Sequence, residues 1–184
     1  MSRILVVVDM QNDFVLGSGV LSSLESEEII PRVVERVKEA VKEPDTYVLF
    51  TQDTHGSNYL ETEEGRNLPV AHCIKGTEGH EIIHELKPYL EMERTRVFEK
   101  DTFGSRDLAE YVREITGGWE SQDDKIEVMG VCTDICVISN VMLLKAFNPN
   151  TPISVIESCC AGSTTVAHYS ALATMKSCQV DIKM

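Results

Sequence analysis

Strand-like apolar runs alternate along this chain with segments of helical periodicity, and three of the runs stop on residues able to do acyl-transfer chemistry. Ile4-Leu5-Val6-Val7-Val8 leads into Asp9. Thr95-Arg96-Val97-Phe98-Glu99 leads into Lys100, and Ile126-Glu127-Val128-Met129-Gly130-Val131 leads into Cys132-Thr133-Asp134-Ile135-Cys136. Such alternation implies a mostly parallel sheet with helices on both faces and right-handed crossovers. In an open sheet of this kind the carboxyl ends of the strands form the rim where ligands bind. A carboxylate, an amine and a thiol delivered to one rim make a cysteine nucleophile with a base and a cationic partner. The pattern points to an enzyme.

The remaining elements follow from periodicity. Glu27 to Lys42 has apolar positions Ile30, Val33, Val34, Val37 and Val41 at helical spacing, with Pro31 tolerated in the first turn. Tyr47 to Thr51 reads as the second strand, and Asp53 to Gly79 as one long polar loop, a length that marks function in a compact domain. A short helix broken by Pro88 is expected over Glu81 to Leu90, and a helix over Asp107 to Ile115 before a Gly117-Gly118 stop. Asp134 to Ala146 and Thr165 to Met175 are the last predicted helices. Ile153 to Glu157 and Gln179 to Ile182 are the last strands. With no repeat, linker or low-complexity tract, residues 1–184 are expected to form a single domain, a three-layer αβα sandwich.

At 184 residues the chain can bury a proper core. A formal net charge of −13 opposes nucleic acid, which needs a positive surface, and equally an anionic membrane. The Ile4–Val8 run is too short for a membrane span or a signal-peptide core, so a cytoplasmic location is expected. The six cysteines contain no Cys-x-x-Cys pair and read as free thiols in a reducing compartment.

Cys136 falls in the first predicted turn of a helix, where backbone N–H groups and the positive dipole end favour a thiolate and face an oxyanion. Cys132 competes as nucleophile, but it sits nearer the strand, where its backbone N–H is the more useful group. Asp9, at the mouth of an aliphatic strand, is costly to bury unpaired and is placed to take a thiol proton. Lys100 would hold Asp9 ionised. Asp53 and His55 form an Asp-x-His pair at a strand end, and His72 can fold back to them from the long loop. Glu61 and Glu64 are the acids available for a further position. Such donors suit Zn, Mn or Fe. The other three histidines, His80, His84 and His168, read as surface helix residues.

These residues resemble the three signatures of the isochorismatase-like cysteine hydrolases: Val8-Asp9-Met10-Gln11-Asn12-Asp13-Phe14, Phe98-Glu99-Lys100-Asp101-Thr102-Phe103 and Gly130-Val131-Cys132-Thr133-Asp134-Ile135-Cys136-Val137. Gln52-Asp53-Thr54-His55 and Pro69-Val70-Ala71-His72-Cys73-Ile74-Lys75-Gly76-Thr77 resemble the metal loop of the nicotinamidase-related branch, and Glu157-Ser158-Cys159-Cys160-Ala161-Gly162 its fifth-strand exit. The resemblance implies a six-stranded parallel sheet, the triad Asp9, Lys100 and Cys136, and a cis peptide between Val131 and Cys132. It also implies an oxyanion hole from the Cys132 and Cys136 N–H groups, and a divalent ion, zinc first, on Asp53, His55 and His72 with Glu64. The implied activity is hydrolysis of a small amide, nicotinamide foremost, through a thioester. The alternatives are a ureido or carbamoyl acid, for which Arg66 or Lys75 would supply a cation, and a binding module that keeps the fold. A homo-oligomer is expected. The chain departs from the branch at Arg66-Asn67-Leu68-Pro69, where a ring-stacking Trp is usual. Its only Trp is Trp119, so Phe14 is left as the aromatic wall.

Overall fold

In the computed structural model, residues 2–117 and 123–184 are described. Gly118 of the expected helix stop, and Trp119, lie outside them. Six strands form one sheet: β1 (Arg3–Val8), β2 (Thr46–Asp53), β3 (Thr95–Lys100), β4 (Lys125–Val131), β5 (Ile153–Ala161) and β6 (Asp181–Lys183). All pairings are parallel, in the order β3-β2-β1-β4-β5-β6. The chain therefore steps outward from β1 through β2 to β3, then returns to the other side of β1 with β4. That reversal lies between β1 and β4, the place where an open α/β sheet leaves a crevice for ligands.

The central strand is apolar throughout because both of its faces are covered, and Ile4 to Val8 are at most 1% exposed. Helices α1 (Asn12–Val15), α2 (Leu24–Glu28), α3 (Ile30–Ala40), α4 (Glu63–Asn67), α5 (Arg106–Ile115), α6 (Ile138–Phe147) and α7 (Thr165–Ser177) complete the layers. Val33, Val37 and Ala40 put one stripe of α3 into the core. Ser105 and Thr164 cap α5 and α7 by accepting from the Leu108 and Ala167 amides. Among the described residues no helix is long and apolar enough to cross a membrane.

The structure corrects several boundaries. The single helix expected over Glu27 to Lys42 is divided at Ile29, because Pro31 has no N–H to donate to Glu27 and instead opens α3. The Asp53–Gly79 loop contains a 3₁₀ turn (Tyr59–Glu61) and α4, and the segment expected as a Pro-broken helix is a 3₁₀ stretch, His84–Tyr89. β5 runs on to Ala161 rather than stopping at Glu157. Its register against β4 shifts between Val128 and Gly130, and pairing resumes at Gly130–Cys160 and Val131–Ala161. The last strand starts at Asp181, after Gln179 ends α7 with a φ of 66°.

Candidate active site

Strand register brings the reactive residues together. Asp53 and Lys100 are partners across the parallel β2–β3 ladder, so their side chains leave adjacent strand ends side by side. Val8 lies opposite Gly130 on β4, and a Cβ at Gly130 would stand 2.1 Å from the Val8 carbonyl oxygen. Only glycine allows that approach, and it sets Asp9 beside the turn that follows β4. Asp9 has a φ of 49°, a left-handed conformation uncommon for a residue with a side chain. It aims the carboxylate back into the protein, where Asp9 has no exposure.

Lys100 is the hub. Its Nζ lies 2.8 Å from Asp9 Oδ2, donates to Asp53 Oδ1 at 3.1 Å and reaches Cys136 Sγ at 3.8 Å. Thr51 Oγ1 donates to Asp9 Oδ1 at 2.6 Å and accepts from the Asp9 amide at 3.2 Å. Burial is the largest influence on Asp9 and lifts its pKa above the ordinary carboxylate value, although Lys100 opposes the shift. Burial also pushes Cys136 well above a normal thiol, with the Asp9 charge adding to it and Lys100 opposing. Burial pulls Lys100 downward, but Asp9, Cys136 and Asp53 outweigh it and keep the ammonium charged. The set therefore joins a thiol that holds its proton strongly, a buried acid whose pKa is raised, and a lysine held as the ammonium between them.

Cys136 does not lie in the first turn of an α-helix as its flanks suggested. Thr133–Val137 form a single π turn, and α6 begins only at Ile138. Such turns recur at functional sites. The peptide between Val131 and Cys132 is cis. Cys132 is half-buried at the start of the turn, its thiol pushed up to about 12 by burial, then by Asp134 and Asp9.

On the other flank, the ligand atoms of Asp53, His55 and His72 lie within 4.8 Å of one another. His55 Nε2 is 2.9 Å from Asp53 Oδ2 and His72 Nε2 is 3.5 Å from it. Glu64 Oε1 stands 3.8 and 3.7 Å from the same two nitrogens, whereas Glu61 is exposed. The donor set fits a divalent ion. His55 Nε2 is buried without a well-formed hydrogen bond, and His72 commits its Nδ1 to the Val70 carbonyl at 2.8 Å, which leaves Nε2 for a ligand. Phe14 packs its ring 5.5 Å from that of His72.

A cavity of about 320 Å³ opens over both halves, lined by Phe14, Leu68 and Phe103 as well as Cys136, His72 and Glu64. No lysine or arginine lines it among the described residues. Arg66 donates to the Glu61 carbonyl at 2.5 Å and Lys75 pairs with Glu99 at 2.5 Å, and neither side chain lines the cavity.

Sequence reasoning missed the residues that hold these groups. Gln11, fully buried, accepts from the Asp53 amide at 2.7 Å and donates to its carbonyl at 2.8 Å, acting as a strand mate where the ladder ends. Tyr59 packs edge-on against His55 and His72 at 4.8 and 4.9 Å. His80, expected on a helix surface, is buried in a loop with its ring bonded to Thr54 Oγ1 at 2.9 Å. His84 is exposed, at the start of the 3₁₀ stretch. His168 is on α7 as expected but half-buried.

Comparison with known proteins gives a consistent result. The isochorismatase domain model matches residues 3–182. An uncharacterized isochorismatase family protein, PncA, of Bacillus subtilis (strain 168) is 31% identical over 183 residues, 94% of this chain and 93% of the relative. The crystal structure of nicotinamidase/pyrazinamidase PncA from Bacillus subtilis superposes with a TM-score of 0.85 at 25% identity, covering 100% of both chains. The crystal structure of pyrazinamidase of Pyrococcus horikoshii in complex with zinc gives 0.79 at 25% identity, again over 100% of both chains.

Proposed function

This chain belongs to the isochorismatase family and is a hydrolase of amide carbon–nitrogen bonds, and from that premise we propose that it is a metal-containing cysteine amidase of the nicotinamidase type. The observation that carries the reading is Lys100 Nζ, 2.8 Å from Asp9 and 3.8 Å from the Cys136 sulfur, beneath a cavity large enough for a small amide. In this mechanism Asp9 takes the Cys136 proton. Burial raises the Asp9 pKa above the ordinary carboxylate value, which makes its carboxylate a stronger base toward the thiol. The thiolate attacks the amide carbon, and the developing oxyanion rests on the Cys132 and Cys136 N–H groups. Asp9 then protonates the leaving nitrogen and ammonia departs, which leaves a thioester on Cys136. Water adds to the thioester with Asp9 as base, the acid is released, and the thiol recovers its proton.

Asp53, His55, His72 and Glu64 would hold a divalent ion, zinc by analogy with the Pyrococcus structure. Bound there, it supplies a Lewis acid that anchors a substrate's ring nitrogen or a water at one side of the cavity. Phe14 would form the apolar wall against the substrate. The ureido-acid alternative is less well supported, since neither Arg66 nor Lys75 lines the cavity.

The test is ammonia release across nicotinamide, pyrazinamide and small ureido acids, with Cys136→Ala and Cys132→Ala beside the parent. Activity on the neutral amides, abolished in Cys136→Ala and largely kept in Cys132→Ala, supports the reading. An active Cys136→Ala would overturn it.

A further inference from the structure

The turn that carries the Cys132 and Cys136 amides is tied at two points to the junction between β5 and α7. Thr133 has no exposure, and its Oγ1 is 2.8 Å from His168 Nδ1. The next residue, Asp134, accepts from the Ser163 amide at 2.7 Å and from the Ser163 hydroxyl at 2.5 Å. Gly162 lets the two surfaces meet: a Cβ there would fall 2.7 Å from the His168 Cβ and 2.9 Å from Asp134 Oδ1. Helix α7 is therefore seated flush on the turn. Thr133 is one residue from Cys132, so a shift at its side chain moves the amide that would face the oxyanion. Displacements near 1 Å in such a donor can cost about 10²-fold in rate.

We propose that His168 is a positioning residue for amide hydrolysis, fixing the Thr133–Val137 turn through Thr133 Oγ1 so that the Cys132 and Cys136 N–H groups converge on one point. Its imidazole holds a hydrogen-bonding atom against an otherwise sealed hydroxyl. Burial lowers the His168 pKa, which favours the neutral ring as the partner of Thr133 Oγ1. The role rests on the amidase reading for its chemistry, though not for its geometry.

The experiment compares His168→Leu, His168→Asn, Thr133→Val and the double Thr133→Val/His168→Leu in the full chain. Asn places an amide atom near the position of Nδ1, while Leu keeps bulk and loses the bond. Expected is a fall in kcat of at least about tenfold for His168→Leu and Thr133→Val, with KM within about twofold of the parent. His168→Asn should recover most of the loss, and the double variant should be no worse than the worse single. Near-parental kcat in both singles, equal loss in Asn and Leu, or multiplicative loss in the double would each overturn the proposal. A second readout needs no substrate: the alkylation rate of Cys136 by iodoacetamide, read by mass spectrometry. Should the parent hydrolyse none of the amides, the functional reading falls and the proposal is judged on that rate. A change in His168→Leu and Thr133→Val with recovery in His168→Asn supports it, and identical rates in all variants overturn it.

Discussion

Lys100 donates to Asp53 at 3.1 Å, and through that bond the buried acid–thiol set and the imidazole cluster share one cation. The pairing follows from the sheet, since the two residues are opposite one another at the end of the β2–β3 ladder. One lysine thus contacts an acid on each side of the site.

Lys100→Met keeps length and bulk but leaves Asp9 buried without its cation. Breaking a buried pair by removing one partner costs about 3–5 kcal/mol. The variant should lose stability of that order in urea unfolding at pH 7 and also lose turnover. Adding Asp9→Asn should restore much of the stability while leaving the enzyme inactive. Equal stability in the single and double variants would show that the pair is not the source.

The pH dependence of turnover has a defined sign. As the proposed base Asp9 would act only when ionised, and burial raises its pKa above the ordinary 3.8. Activity is then complete above the raised value and falls as pH drops through it. The acid limb of kcat/KM should therefore lie above pH 3.8, and an acid limb at or below that value would count against Asp9 as the base.

Protein purified without chelator should carry about one divalent ion per chain, and His55→Ala or His72→Ala well below one, by elemental analysis. Because the ion binds the folded state, chelation should lower the melting temperature and restored metal should raise it. At a free concentration 100 times Kd the effect is about 2.7 kcal/mol. A melting temperature indifferent to chelator would mean that the cluster is not a metal site.

Gly130→Ala should be among the most damaging single changes to the fold. The residue has a φ of 121° and no room for a Cβ against the Val8 backbone. Strain and overpacking together cost more than about 3 kcal/mol. Calorimetry of the purified variant measures it, and a shift of only a few degrees would contradict the close approach of β1 and β4.

What the sequence made legible was whatever is written locally. The apolar runs ending at Asp9, Lys100 and Cys136 mark buried strands reaching a rim, and Asp53, His55 and His72 carry ligand chemistry in their side chains. Gln11, Thr51 and His168 escaped because their roles exist only across distance. Gln11 bonds the backbone of Asp53, 42 positions away, and His168 bonds Thr133, 35 positions away. Nothing beside a glutamine says that its amide will stand in for a strand. The π turn at Thr133–Val137 was read as ordinary helix for a related reason: its ring closure depends on how the chain leaves β4, which periodicity does not record.

The strand order has a consequence for the chain as it is being made. β1 to β3 emerge first and lie on one side of β1, so the most apolar strand of the sheet presents a bare edge until β4 arrives more than a hundred residues after it began. An unpaired apolar edge invites pairing with other chains. Over that interval Asp9, Asp53 and Lys100 have already been translated, while the thiol that would use them has not. A nascent chain stalled before residue 125 would expose a sticky edge and lack Cys136, so β4 covers that edge and the turn directly after it delivers the thiol to the proposed triad.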